Sequence, residues 1–218
     1  MSRPVVLVVG AGPGVGRAVA RRFGRAGYDV AMVARSPERL DQLGEELEAE
    51  GITAGWAPAD ITDDRACRAA ISRLGDHVGR IDVLHFNPSA FRAADPLTLT
   101  PQELLDDLRL GVASLLTAVQ GARPYLRAGG RILATGSMAA DEPSARAASL
   151  GVQKAALRNL VQSLDATLAP DGIRAMTLTV RGVLAPDTAF SPARVADALF
   201  DAAQTPDTDW RSEVPYEG

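Results

Sequence analysis

Residues 5–17 read Val5-Val6-Leu7-Val8-Val9-Gly10-Ala11-Gly12-Pro13-Gly14-Val15-Gly16-Arg17. An uninterrupted aliphatic run enters a glycine cluster, and an amphipathic stretch follows. Such a run bounded by glycine is the pattern of a strand buried on both faces. Glycine permits a tight turn, lets the backbone approach a pyrophosphate, and allows a helix to pack closely on its strand. The free N–H groups at the start of that helix then face the phosphates. After the first strand of a βαβ unit, Gly10, Gly12, Gly14, Val15 and Gly16 are therefore expected to hold a dinucleotide. The alternative is a turn kept for packing alone.

The same alternation continues through the 218 residues. Apolar runs predict strands near 4–9, 28–34, 53–58, 81–86, 130–135 and 173–180. Helical patterns fall near 14–26, 37–50, 62–76, 101–127 and 143–169, followed by a helix near 192–204 and a strand near 213–216. Ser36-Pro37-Glu38 and Thr100-Pro101-Gln102-Glu103 have the residue order of helix N-termini, the second with a capping box. Asp60 and Thr62 are alternative caps for the third helix, and Gly27, Gly51 and Gly172 fall where helix C-terminal glycines belong. This order predicts an α/β chain with one domain over residues 1–218. The expected architecture is a Rossmann fold, a doubly wound parallel sheet of six to seven strands with helices on both faces.

Composition narrows the partners. A formal charge of −4 argues against nucleic acid. No stretch approaches the ~20 apolar residues of a membrane span, and the start lacks a signal-peptide pattern. Cys67 is the only cysteine, so no internal disulfide forms. His77 and His85 lack metal-ligand spacing, so no metal is expected, and a cytoplasmic location is the default. Lys154 is the one lysine among 23 Lys and Arg residues.

Val33-Ala34-Arg35-Ser36 closes the second strand. An acidic residue here would bind the ribose 2′-hydroxyl of NAD, and Ala34 does not supply one. Arg35 and Ser36 offer ligands to a 2′-phosphate, which favours NADP(H) over NAD. A solvated Arg35 at a helix start is the plainer alternative.

Gly10, Gly14 and Gly16 fit G-x-x-x-G-x-G, and Ser137 precedes Lys154 at the spacing of a Ser…Tyr-x-x-x-Lys motif. On these residues the chain resembles the short-chain dehydrogenases/reductases from residue 4 to about 190. The resemblance implies that Asp60-Ile61 meets the adenine and that Asn87 braces the sheet and lines the adenosine ribose. Lys154 would hold the nicotinamide ribose, and Gly182 and Thr188 would lie near the nicotinamide amide. Ser137 and Lys154 are the implied catalytic pair. The departures are equally specific. Leu150 stands at the tyrosine position, so the chain is identified as an atypical member lacking the catalytic tyrosine. Gly111 stands at an asparagine that holds a water beside the lysine, and Arg181 replaces a proline. The segment after Thr188 enters a helix almost at once, leaving a short substrate lid. In the family the two long helices, here 101–127 and 143–169, pack across a dyad, which implies a homodimer or homotetramer.

The function implied is NADP(H)-dependent hydride transfer to or from a small carbonyl or alcohol, with altered acid/base residues. Losing one general acid removes about 10²–10⁴ in rate, which weakens such chemistry without abolishing it. Ser137, a water held by Lys154, His85 and Arg181 are the candidate replacements. Two alternatives stay open: a non-redox isomerase, dehydratase or cyclase on the same cleft, and an NADP(H)-binding regulatory or subunit protein without chemistry.

Overall fold

A computed structural model describes residues 3–218. Seven strands form one sheet: β1 (Val5–Val9), β2 (Asp29–Ala34), β3 (Ala54–Pro58), β4 (Ile81–Phe86), β5 (Leu126–Ser137), β6 (Arg174–Val180) and β7 (Glu213–Tyr216). Their order is β3-β2-β1-β4-β5-β6-β7 and every pairing is parallel. The direction of winding reverses between β1 and β4, where open α/β sheets leave a crevice at the carboxyl ends of the strands.

Both sheet faces are covered. Val5, Leu7 and Val9 pack under α3 (Asp64–Val78), α5 (Ser114–Ala122) and α6 (Ala148–Leu168). Val6 and Val8 pack under α1 (Val15–Arg25), α2 (Pro37–Ala49) and α7 (Pro192–Ala203). The alternation of β1 side chains between two cores explains why its sequence is continuously apolar.

The helix starts follow local chemistry at two expected sites. The Ser36 hydroxyl accepts the Arg39 N–H. Thr100 and Glu103 complete a reciprocal capping box at α4 (Pro101–Leu108). Gly27, Gly51 and Gly172 take positive φ after their helices. Three expectations are corrected. The cap of α3 is Asp63, whose carboxylate accepts the Ala66 N–H at 2.9 Å, rather than Asp60 or Thr62. The helix expected over 101–127 breaks into α4, a π-turn at Arg109–Ala113, and α5, which ends at Ala122. The helix expected from 143 starts at Ala148, because Pro143 and a 3₁₀ turn at Met138–Ala140 keep the preceding chain irregular.

The tightest contact of a glycine with backbone joins β1 to α1. Gly10 has φ +87°, and a Cβ at Gly16 would overlap the Gly10 carbonyl oxygen. A Cβ at Gly12 or Gly14 would meet nothing within 4 Å. Gly16→Ala is therefore expected to lower stability by about 2–3 kcal/mol through backbone overpacking. Gly12→Ala should leave it within about 0.5 kcal/mol. Urea unfolding of both variants checks this, and equal losses would refute the assigned contacts.

Candidate coenzyme and active site

A hollow of about 530 Å³ opens at the carboxyl edge beside β1 and β2. Gly10, Ala11 and Gly12 form its floor, and Ala34, Arg35 and Ser36 form one side. Ile61, Pro88, Ser89 and Leu110 close the other sides. Arg39, one turn into α2, also lines it. Arg39 was not anticipated from sequence; it stands in the first turn of α2, while Arg35 precedes the Ser36 N-cap. No ion pair or side-chain hydrogen bond engages either guanidinium among the described residues.

The glycine turn is braced from two sides. Gly10 N–H donates to Val33 O at 2.8 Å. The Asn87 side chain donates to Gly10 O at 3.3 Å, and the Asn87 backbone N–H donates to Val9 O at 3.0 Å. The α1 N-cap is Gly14, which has no capping side chain. The Arg17 N–H donates to Gly12 O at 2.9 Å, and no side chain caps the N–H groups of Val15 and Gly16 before it. Val15 is buried in the core and Gly16 packs on Gly10, so these two shape the turn rather than line the hollow.

Asp60 does not line this hollow. Its carboxylate accepts from the Thr62 N–H at 2.9 Å and the Thr62 hydroxyl at 2.7 Å. Those bonds hold its pKa below the ordinary range, with smaller help from Arg35 and Arg109. Gly14 and Thr188 face a second hollow, of about 710 Å³, between the start of α1 and the loop before α7. The Thr188 hydroxyl donates to Ala185 O and accepts the Phe190 N–H, which fixes this loop. Gly182 is packed against the Phe190 ring, where a Cβ would overlap it.

Ser137 ends β5, and its hydroxyl accepts the Ala139 N–H at 3.2 Å. Lys154 is 4% exposed and its ammonium donates to Thr135 O at 2.9 Å. Thr135 lies two residues before Ser137, so Ser137 and Lys154 meet at the same strand end without a direct bond. Leu150 is half-buried one turn before Lys154 on α6. The neighbouring Gln153, also unforeseen, is fully buried and hydrogen-bonded to Ser89, Ala90 and Asp107.

Two candidate acid/base groups drop out. His85 is fully buried, with Nε2 2.9 Å from the Thr135 hydroxyl. Burial, reinforced by the nearby Lys154 charge, pushes its pKa down to about 3, so it stays neutral. Arg181 is partnered by Asp141 at 3.2 Å and Glu217 at 3.4 Å. Asp141 also pairs with Arg158 at 2.6 Å. No group of His, Cys, Asp and Glu suited to a metal ion occurs among the described residues, and no helix among them is long and apolar enough to cross a membrane.

The profile of the short chain dehydrogenase family matches residues 4–193. A short-chain dehydrogenase/reductase SDRA of Arabidopsis thaliana is 28% identical over 168 residues, covering 77% of this chain and 66% of that protein. A short chain dehydrogenase of Pseudocercospora fijiensis is 30% identical over 196 residues, covering 86% and 63%. The matched part is thus just under two-thirds of each relative's length. Among solved structures, a short chain dehydrogenase from Burkholderia cenocepacia in complex with NADP aligns at a TM-score of 0.87 and 28% identity, over 100% of this chain and 96% of that one.

The buried ammonium sets a measurable pH dependence. Burial pushes Lys154 from 10.5 down to about 8. The folded state then holds this proton more weakly than the unfolded chain. The group therefore subtracts from stability in full below pH about 8, and the penalty fades toward pH 10.5. Lys154→Met is expected to raise stability at pH 7 by about 1–3 kcal/mol. That advantage should vanish by pH about 10.5. Urea unfolding at neutral and alkaline pH tests this; a variant less stable at pH 7 would mean that the ammonium is compensated.

Proposed function

The chain belongs to the short chain dehydrogenase family, and on that premise we propose that it is an NADP(H)-preferring oxidoreductase acting on a small carbonyl or alcohol. The reading is carried by one observation: two unpaired guanidiniums, Arg35 and Arg39, line the hollow at the end of β2 where Ala34 supplies no carboxylate. Guanidinium groups and the Ser36 hydroxyl suit a ribose 2′-phosphate. The residues present also fit the rest of the coenzyme. Gly12 and Gly14 have open space over their α-carbons, and the uncapped start of α1 favours a pyrophosphate. Ile61 lines the adenine side, with Asp60 beside it at the rim. Asn87 holds the turn. Lys154 would meet the nicotinamide ribose, and Gly182 and Thr188 would bound the nicotinamide end.

When bound, NADPH supplies a hydride to a carbonyl carbon. This chain must orient the carbonyl and deliver a proton to its oxygen. Ser137 is the hydrogen-bonding group at the end of β5. Leu150, at the position where the family's tyrosine stands, neither gives nor takes a proton. With His85 neutral and buried and Arg181 partnered, Lys154 remains as the proton source, acting through a water. A pKa of about 8 suits a group that must change protonation state near neutral pH. The short segment between β6 and α7 leaves the substrate side open, and a cytoplasmic location accords with this chemistry. A homodimer or homotetramer belongs to the same reading, since Leu105, Leu116 and Val152 expose apolar surface on α4, α5 and α6. Light scattering that finds only monomer at micromolar concentration would remove it.

Leu150 also favours a second reading, a coenzyme-binding subunit without turnover. Fluorescence titration with NADPH and NADH tests the shared premise. Arg35→Ala and Arg39→Ala should each weaken NADPH by roughly 10–100-fold while leaving NADH unchanged. Equal losses for both coenzymes would overturn the phosphate assignment. Leu150→Tyr separates the two readings. It should raise carbonyl turnover by about 10²–10⁴ if only the proton donor is weak. No turnover in either protein would leave the subunit reading.

A further inference from the structure

We propose that the buried Gln153 carboxamide is a positioning residue of the coenzyme hollow, tying two of its walls together from within. The proposal rests on reading that hollow as a nucleotide site. Gln153 lies on α6, one residue before Lys154, and is fully buried. Its Oε1 accepts from the Ser89 hydroxyl at 3.0 Å and from the Ala90 N–H at 3.3 Å. Its Nε2 donates to Asp107 O at 3.1 Å. Ser89 lines the hollow directly, and Leu110, three residues beyond Asp107, lines it from the other side. Ser89 and Ala90 have no other side-chain hydrogen-bond partner among the described residues. Further along the loop after β4, Arg92 pairs with Asp107 and Glu103 of α4, so Gln153 is the side-chain tether of the Ser89-Ala90 part that borders the hollow.

Gly111 explains how the amide fits. A Cβ at Gly111 would overlap the Gln153 carboxamide carbon and Oε1. The amide thus fills the volume that any side chain at 111 would need. The resemblance to the family puts an asparagine at this position. Here the helix position is vacated and a carboxamide enters the same space from α6. The π-turn at Arg109–Ala113 lies beside it. Where bonding changes from i→i+4 to i→i+5, a carbonyl of the preceding turn becomes available to an outside donor. The Gln153 amide meets that need at Asp107. Gly111, Gln153 and Ser89 are in this account one coupled arrangement rather than three separate departures. Its consequence is that the two walls on either side of the adenosine end keep their spacing, while the Lys154 turn is held to both.

The test is a set of variants followed by thermal melting and by NADPH titration of the whole chain. Gly111→Ala alone pushes the amide off its partners, so it should lower Tm by about 2–4 °C. It should also weaken NADPH by about tenfold. In a Gln153→Ala background the same substitution should raise Tm, because alanine favours the helix and nothing remains to displace. Its effect on NADPH should then disappear. Gln153→Ala combined with Gly111→Asn returns a carboxamide to the space from the other helix. This pair should recover NADPH affinity to within about threefold of the wild type. Recovery of affinity is the readout that a purely structural filler would not move. Gln153→Met, which keeps volume without the hydrogen bonds, replaces Gln153→Ala if the latter does not fold. Wild-type affinity in Gln153→Ala or Gln153→Met, or no recovery in the double variant, overturns the proposal. Absence of NADPH binding by the wild type itself would overturn the coenzyme reading instead, and this role with it.

Discussion

The close approach of α1 to the end of β1 is the constraint from which the rest of the site follows. With no atom beyond Cα at residue 16, the helix seats on the Gly10 carbonyl. That contact brings the α1 N-terminus to the carboxyl edge of the sheet, beside the point where strand order reverses. Asn87 then ties the end of β4 to the same carbonyl. The consecutive β1 and α1 and the distant β4 are thereby fixed around one backbone oxygen. The open space over Gly12 and Gly14 is a product of that fixing, because the turn's inner contacts are spent on Gly10 and Gly16. A nucleotide site needs this division between glycines that pack and glycines that leave room.

Electrostatics divides the hollow in a complementary way. At the β2 end the positive charge is exposed: Arg35 and Arg39 face the hollow with no ion pair or side-chain hydrogen bond among the described residues. At the β5 end it is buried: Lys154 donates to one backbone oxygen and has no carboxylate beside it. Solvated guanidiniums suit a dianionic phosphate that arrives from water. A desolvated ammonium instead suits neutral hydroxyls and proton exchange, because burial has already brought its two protonation states close in free energy. The other cation near the cleft, Arg181, is neutralised by Asp141 and Glu217. The field across the crevice thus runs from an exposed pair of charges to one buried charge.

Much of this was legible in the chain of residues. Continuous apolar runs gave six strands to within a few positions, because parallel strands covered on both faces leave no room for polar alternation. Arg35 and Ser36 were legible because their place after β2 is set by the fold. What escaped reading depended on choices among equal local options or on distant partners. Asp60, Thr62 and Asp63 can each cap a helix, and only the path of the chain after β3 selects Asp63. The break in the helix after Leu108 lies against Gln153, which is on another helix. Gly111 alone read as a weak point in a long helix. Arg181 looked free because its two partners come from the segment after β5 and from the end of the chain.

The retention of a single lysine then has a physical explanation. Arginine serves this protein wherever a charge can reach solvent or a carboxylate, as in Arg17 with Glu46 and Arg174 with Asp165. At residue 154 neither is available. The side chain must cross a dry interval beside Leu150 and end at Thr135 O, and a planar five-donor guanidinium would leave most of its N–H groups without acceptors there. An ammonium leaves fewer, and it can also lose its proton when no acceptor is present. A neutral aliphatic residue would pack better in the same space. An ionisable group thus stands where packing alone argues against one, at the strand end that holds Ser137, and that is the feature on which the proposed hydroxyl-binding role of residue 154 rests.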